Sequence, residues 1–200
     1  MSENYLPDLP TLSNQAENTS RATIGDGPFG LSRGLRKEDI DIQIQEVKPC
    51  MYRAEKLPKQ HSAFEYYYLQ ITPVQGLSWI KAIGNNVTTN PYGSDLKSAF
   101  ETIRGKLENI YGRPENGDFL MDGSIWNEPR DWMQAIANKE RHLYAHWDSK
   151  KISGLPSDLE SIFLNVSALG TDSGYIAIEY SFTNYEASEK EMAMLEDDAL

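Results

Sequence analysis

The sequence predicts an α+β fold: antiparallel β-hairpins forming one curved sheet or two small sheets, covered by one long helix and several short ones. Three observations carry this. Residues 64–89 and residues 159–182 each read as two strands joined by a turn, and residues 94–111 hold one apolar stripe at helical spacing. The chain of 200 residues fits a single domain, and a hydrophobic content of 40% is enough for a core.

Residues 1–27 are rich in Ser, Asn, Pro, Thr and Gly and poor in large apolar residues. Such a segment buries too little surface to offset the entropy of ordering it, so a flexible lead-in is expected. Residues 28–200 are expected to form one α+β domain. A division into two lobes, about 28–115 and 116–200, with an acidic C-terminal helix, is the alternative.

Order is expected to start with a short strand at Phe29 and Leu31, a turn at Ser32-Arg33-Gly34 and a helical turn in RKEDI. IQIQEVKPCMYRA alternates apolar and polar residues, which reads as a strand slipping in register near Pro49. FEYYYLQIT (64–72) is aromatic and β-branched, as strands are. Its alternation puts Phe64, Tyr66 and Tyr68 on one face and Tyr67, Leu69 and Ile71 on the other. PVQG turns the chain, and LSWIKAIGNNVTT returns as the second strand.

SDLKSAFETIRGKLENIYGRP is the best helix. Leu96, Phe100, Ile103, Leu107 and Ile110 form its stripe, Ser94 is the expected N-cap, Asp95 suits the positive end, and Gly112 and Pro114 stop it. Residues 113–128 read as a loop. PRDWMQAIANKE (129–140) reads as a short helix with proline in its first turn. In the second hairpin Ile162, Leu164, Val166 and Ala168 share a face, as do Ile176, Ile178, Tyr180 and Phe182, with GTDSG as the turn. The tail from Tyr185 is a helix candidate with Tyr185, Met192 and Leu195 as its buried side. It carries six carboxylates against Lys190, and acids at its C-terminal end oppose the dipole. The two halves share a loose plan of hairpin plus helix.

The most chemically suggestive stretch is ERHLYAHWD (140–148), with His142 and His146 four residues apart. On a helix the pair would face one way and suit a metal. The helical stripe of Trp132, Met133 and Ile136 does not continue, however. Leu143, Ala145 and Trp147 alternate with His142, Tyr144 and His146, which is the period of a strand. A metal would need further ligands, and His61 is the one other histidine. A metal role for His142 and His146 is therefore rejected, and no cofactor is expected. GDGPFG (25–30) matches a dinucleotide fingerprint by letter but lacks the buried strand before it and the long helix after it. Cys50 has Lys48 near it in sequence, yet lone cysteines more often pack than react. No serine sits in a nucleophile elbow, so no catalytic residue is assigned and the expectation is a protein that is not an enzyme.

Charge shapes the expected partner. The formal net charge of −11 repels nucleic acid and anionic membranes and favours basic partners. The N-terminal stretch has no basic segment followed by an apolar run, and no stretch approaches the roughly 20 apolar residues of a membrane helix. With one cysteine, these features give the expectation of a cytoplasmic protein. The 113–128 loop and the residues just after it place Phe119, Trp126 and Trp132 among Asp118, Asp122, Glu128 and Asp131. Aromatic anchors in an acidic rim suit a basic protein. Tyr66, Tyr67 and Tyr68 offer a second aromatic surface. The expected function is a small acidic inhibitor, immunity or regulatory protein, with Asp118, Asp122, Trp126, Glu128 and Tyr67 as partner-binding residues. The alternatives are a self-associating component of a phage or secretion particle, and an enzyme with an unrecognised carboxylate or histidine site.

Overall fold

Nine antiparallel strands, described in a computed structural model for residues 25–198, form one continuous sheet. Of the segment expected to be flexible, 1–27, residues 1–24 lie outside the described residues. In chain order the elements are β1 (Ile44–Lys48), β2 (Met51–Ala54), β3 (Phe64–Thr72), β4 (Gly76–Gly84), β5 (Val87–Thr88), α1 (Ser94–Tyr111), β6 (Glu115–Leu120), α2 (Trp132–Ala137), β7 (Arg141–Asp148), β8 (Leu159–Ala168), β9 (Ser173–Phe182) and α3 (Tyr185–Asp197). The strand order is β1-β2-β3-β4-β9-β8-β7-β6, and β5 also pairs with β9. Each half thus contributes four successive strands, and the halves meet where β4 lies beside β9.

The two faces of the sheet differ. Leu69, Ile80, Ala82, Ala145, Trp147, Ile162, Leu164, Ile178 and Phe182 belong to one apolar core. Helix α1 covers this face across β8 and β9, and α2 covers it across β7 and β8. Leu96, Phe100, Ile103 and Leu107 are the buried side of α1. Burying side chains of this size contributes about 1.5–3 kcal/mol each. The chain before β1 closes the other end of the core through Phe29, whose ring meets Phe64, Tyr67 and Tyr180 edge-on at 4.9–5.8 Å. The opposite, outer face holds Tyr66, Tyr68, Tyr144, Phe163 and Tyr175, all half-buried. Helix α3 crosses β3 and β4 on this side. Its Ser188 bonds Gln70, which points away from Leu69 and Ile71.

Several local expectations are corrected. Pro28–Gly30 is one 3-10 turn rather than a strand, because Phe29 and Gly30 have φ of 54° and 81°. Residues 44–54 are two strands, since the chain reverses at Pro49-Cys50 with Cys50 at φ 62°. A register shift between Phe64 and Tyr66 sends Phe64 to the core side, away from Tyr66 and Tyr68. Gly93, in the left-handed region at φ 69°, takes the N-cap position of α1 instead of Ser94. Asn90 Oδ1 accepts from Ser94 N–H, and Thr89 Oγ1 accepts from Asp95 N–H, so side chains before the helix supply the capping. Ile110 is 67% exposed, at the end of the stripe. Pro129–Asp131 is a 3-10 turn, and α2 starts only at Trp132. In α3, Leu195 is 44% exposed, and the buried residue is Ser188. Among the described residues no helix is long and apolar enough to cross a membrane.

Candidate partner-binding site

ERHLYAHWD is strand. Arg141–Asp148 forms β7, with Ala145 and Trp147 in the core and His142, Tyr144 and His146 on the outer face. Trp147 is anchored by its Nε1–H, which donates to the Gly112 carbonyl at 2.7 Å. The histidines serve aromatic packing. His142 lies 5.1 Å from the Phe119 ring, and His146 lies 5.8 Å from Phe163. Among the described residues no group of three or more His, Cys, Asp or Glu side chains could hold a metal.

Residues 113–128 are not wholly a loop. Glu115–Leu120 pairs with β7 in continuous register, Glu115 opposite His146 and Leu120 opposite Arg141. The sequence ENGDFL has few strand-forming residues, so pairing with β7 imposes the conformation. Gly117 is required there: a Cβ would sit 2.2 Å from the Tyr144 ring, which lies across the β6 backbone and stacks on Phe163 at 5.4 Å.

After β6 the chain bulges outward at 121–131, and this loop is braced. Met121 N–H donates to the Glu140 carbonyl, and Ser124 Oγ donates to Glu140 Oε2. Trp126 N–H donates to Ser124 Oγ. Gly123 supplies the left-handed bend at φ 83°. On this frame Phe119 is 48% exposed and Ile125 74%, with Met121 also exposed between them. Asp118, Asp122 and Glu128 are exposed, and Trp126 is half-buried. Asp118 pairs with Arg141 at 2.6 Å, and Glu115 pairs with Lys151 at 2.7 Å. The Lys151 hydrogen bond and charge hold the Glu115 carboxyl below its ordinary range.

Four of the five predicted residues lie close in sequence, Asp118 on β6 and Asp122, Trp126 and Glu128 on the loop that follows, but the register turns Asp118 to the Leu143 side of the sheet, away from Phe119 and His142. Tyr67 does not join them. It is 1% exposed and packs on Phe29 inside the core. The alternation was legible, but both faces of β3 carry aromatics, so periodicity left open which one is buried. Trp132 is likewise core, and Lys97 Nζ lies 4.2 Å over its ring. Burial and nearby Arg141 pull the pKa of Lys97 down. Met121 and Ile125, exposed apolar residues of the same segment, are not among the predicted residues; their signal is an apolar side chain beside Asp, Gly and Ser.

Other candidate centres have different geometry. Strands β7 and β8 part beyond the Tyr144–Asn165 pair, opening a cleft of about 400 Å3 lined by His142, Tyr144, Phe163, Asn165, Ser167 and Tyr175 among others. Its lining holds no carboxylate, and His146 lies outside it. Cys50 is buried in the β1–β2 turn, where burial, Glu191 and Glu46 push its thiol pKa up. A raised pKa keeps the thiol protonated at neutral pH, unlike an activated nucleophile.

No protein-family model, curated protein or solved structure matches this chain.

Proposed function

We propose that this chain is a small acidic protein-binding module, an inhibitor, immunity or regulatory protein whose partner is a basic protein. One observation carries the reading: Phe119, Met121 and Ile125 are exposed within one short segment whose loop is hydrogen-bonded and also exposes Asp122 and Glu128. Exposed apolar anchors inside a polar rim are the anatomy of a binding centre. The bracing by Ser124 and Glu140 lowers the ordering cost of association. The net charge of −11 speeds encounter with a cationic partner and makes that encounter sensitive to salt.

The test is affinity capture of the tagged protein from its native host at low and at high salt, in parallel with variants. A single basic protein in roughly equal amount, released by salt, is the expected result. Ile125→Ser should weaken that complex by about tenfold or more, as loss of a central anchor does. The double variant Asp122→Asn, Glu128→Gln should slow association and flatten its salt dependence. Unchanged binding by both variants would show that the partner docks elsewhere.

A further inference from the structure

Among the described residues the sheet has two edges, and they are built differently. Strand β1 carries the usual protections. Its ladder with β2 shifts register between Glu46 and Lys48, Lys48 lies within it, and Pro49 follows. Lys37 reaches over it to Glu46 at 3.8 Å. Bulges, lysines and prolines are how natural sheets prevent a further strand from adding.

Strand β6 is less protected, although Pro114 precedes it and Lys151 and Arg141 pair with its Glu115 and Asp118. Its pairing with β7 runs from Glu115 to Leu120 without a shift, and no lysine or proline lies between those residues. The hydrogen-bond parity identifies the groups it presents outward. Met121 N–H donates to the Glu140 carbonyl. That pair continues the β6–β7 register by one residue, so Phe119, Gly117 and Glu115 also turn their backbone groups toward β7. Asn116, Asp118 and Leu120 must then turn their N–H and C=O groups toward the free edge. Their spacing is that of a docking strand's own hydrogen-bonding groups. Phe119 stands beside this edge, exposed, with its ring against His142.

We propose that β6 is a β-augmentation site that takes an extended basic segment of a partner protein as the next strand of the sheet. The proposal rests on the protein-binding reading above and specifies how the partner is held: main-chain bonds along β6, and apolar and charged contacts on the 121–131 loop. Charge selects the occupant. A second copy would bring a net −11 against −11, with Glu115 and Asp118 on both edges. A basic strand meets the same carboxylates with attraction, and the ion pairs they now make with Lys151 and Arg141 are at the surface and cheap to rearrange.

The experiment is residue-resolved amide hydrogen exchange on the unmodified protein, with and without an eight-residue peptide alternating Lys and Val. A peptide alternating Glu and Val is the control. The amides of Asn116, Asp118 and Leu120 should exchange fast in the free protein and slow by about tenfold or more with the basic peptide alone. Asn116→Pro removes one outward donor and should abolish that protection, whereas Asn116→Ala keeps the donor and should preserve it. Protection at Asp122 and Ile125 without protection of the edge amides would overturn the augmentation while leaving the loop reading intact. Protection at neither place would overturn the augmentation. Protection of the edge amides that rises with protein concentration and needs no peptide would make the occupant a second copy, and would overturn the basic-strand proposal.

Discussion

The two long helices cover the sheet from opposite sides by different physics. Helix α1 lays four apolar side chains, Leu96, Phe100, Ile103 and Leu107, on the strands of the second half. Helix α3 lies on β3 and β4 of the first half and buries a single side chain, Ser188. Around it is a polar lattice. Ser78 Oγ donates to Ser188 Oγ at 2.9 Å, Gln70 Nε2 donates to Glu189 Oε1 at 2.7 Å, and Asn184 Nδ2 reaches the carbonyls of Gln75 and Leu77. Glu191 accepts from Thr72 Oγ1 and from the N–H groups of Val74 and Gln75. An apolar stripe contributes in proportion to area and is part of the global core. A hydrogen-bonded contact contributes about 1 kcal/mol per bond and can open locally.

The largest expected effect lies in α1. Phe100 is fully buried, so Phe100→Ala removes a ring from the core and leaves a cavity. It should cost about 3–5 kcal/mol, read as a lower urea midpoint with an unchanged slope. A cost below about 1 kcal/mol would mean that the stripe does not anchor the sheet and that the contrast between the helices fails.

Ser188→Ala comes next. It removes the hydroxyl shared by Gln70, Ser78 and Thr72 and should cost about 2 kcal/mol. Its signature distinguishes it from Phe100→Ala. Amides of α3 should exchange faster, while those of α1 and the central strands keep their protection. Equal loss of protection in both helices would show that α3 unfolds with the core.

This contrast also explains what the sequence could reveal. The α1 stripe is local, written in spacings of three and four within one segment, and it was readable except at Ile110. The grip of α3 was not. Gln70, Thr72 and Ser78 meet Ser188 from more than 100 residues away, and polar residues on a strand look the same whether they face water or a helix. Strand β6 was hidden for a related reason: ENGDFL becomes a strand through its partner, and local propensity opposes it. In the candidate site, the acidic residues Asp118, Asp122 and Glu128 were readable as surface. Tyr67 was not, because deciding its face needs to know which side of β3 the helices cover.

The smallest effect should be the most specific to α3. Burial pushes the Glu191 carboxyl up, but the bonds from Thr72, Val74 and Gln75, aided by Arg36, outweigh it and hold the pKa below its ordinary 4.5. A carboxyl with a lower pKa in the folded chain than in the unfolded one binds fewer protons when folded. Its stabilisation is therefore complete above the unfolded value and fades as pH falls through the folded value. Glu191→Gln keeps the shape and removes the charge, so at pH 7 it should cost about 1 kcal/mol or less, given the partial exposure of the site. Measured by urea unfolding at a series of pH values, the gap between the two proteins should be widest at neutral pH and close below pH 4.5. The remaining carboxylates titrate in both proteins, so the difference isolates this one. A gap that stays constant across that range would mean that α3 is held by the shape of Glu191 and not by its charge, and the distinction between the helices would reduce to packing alone.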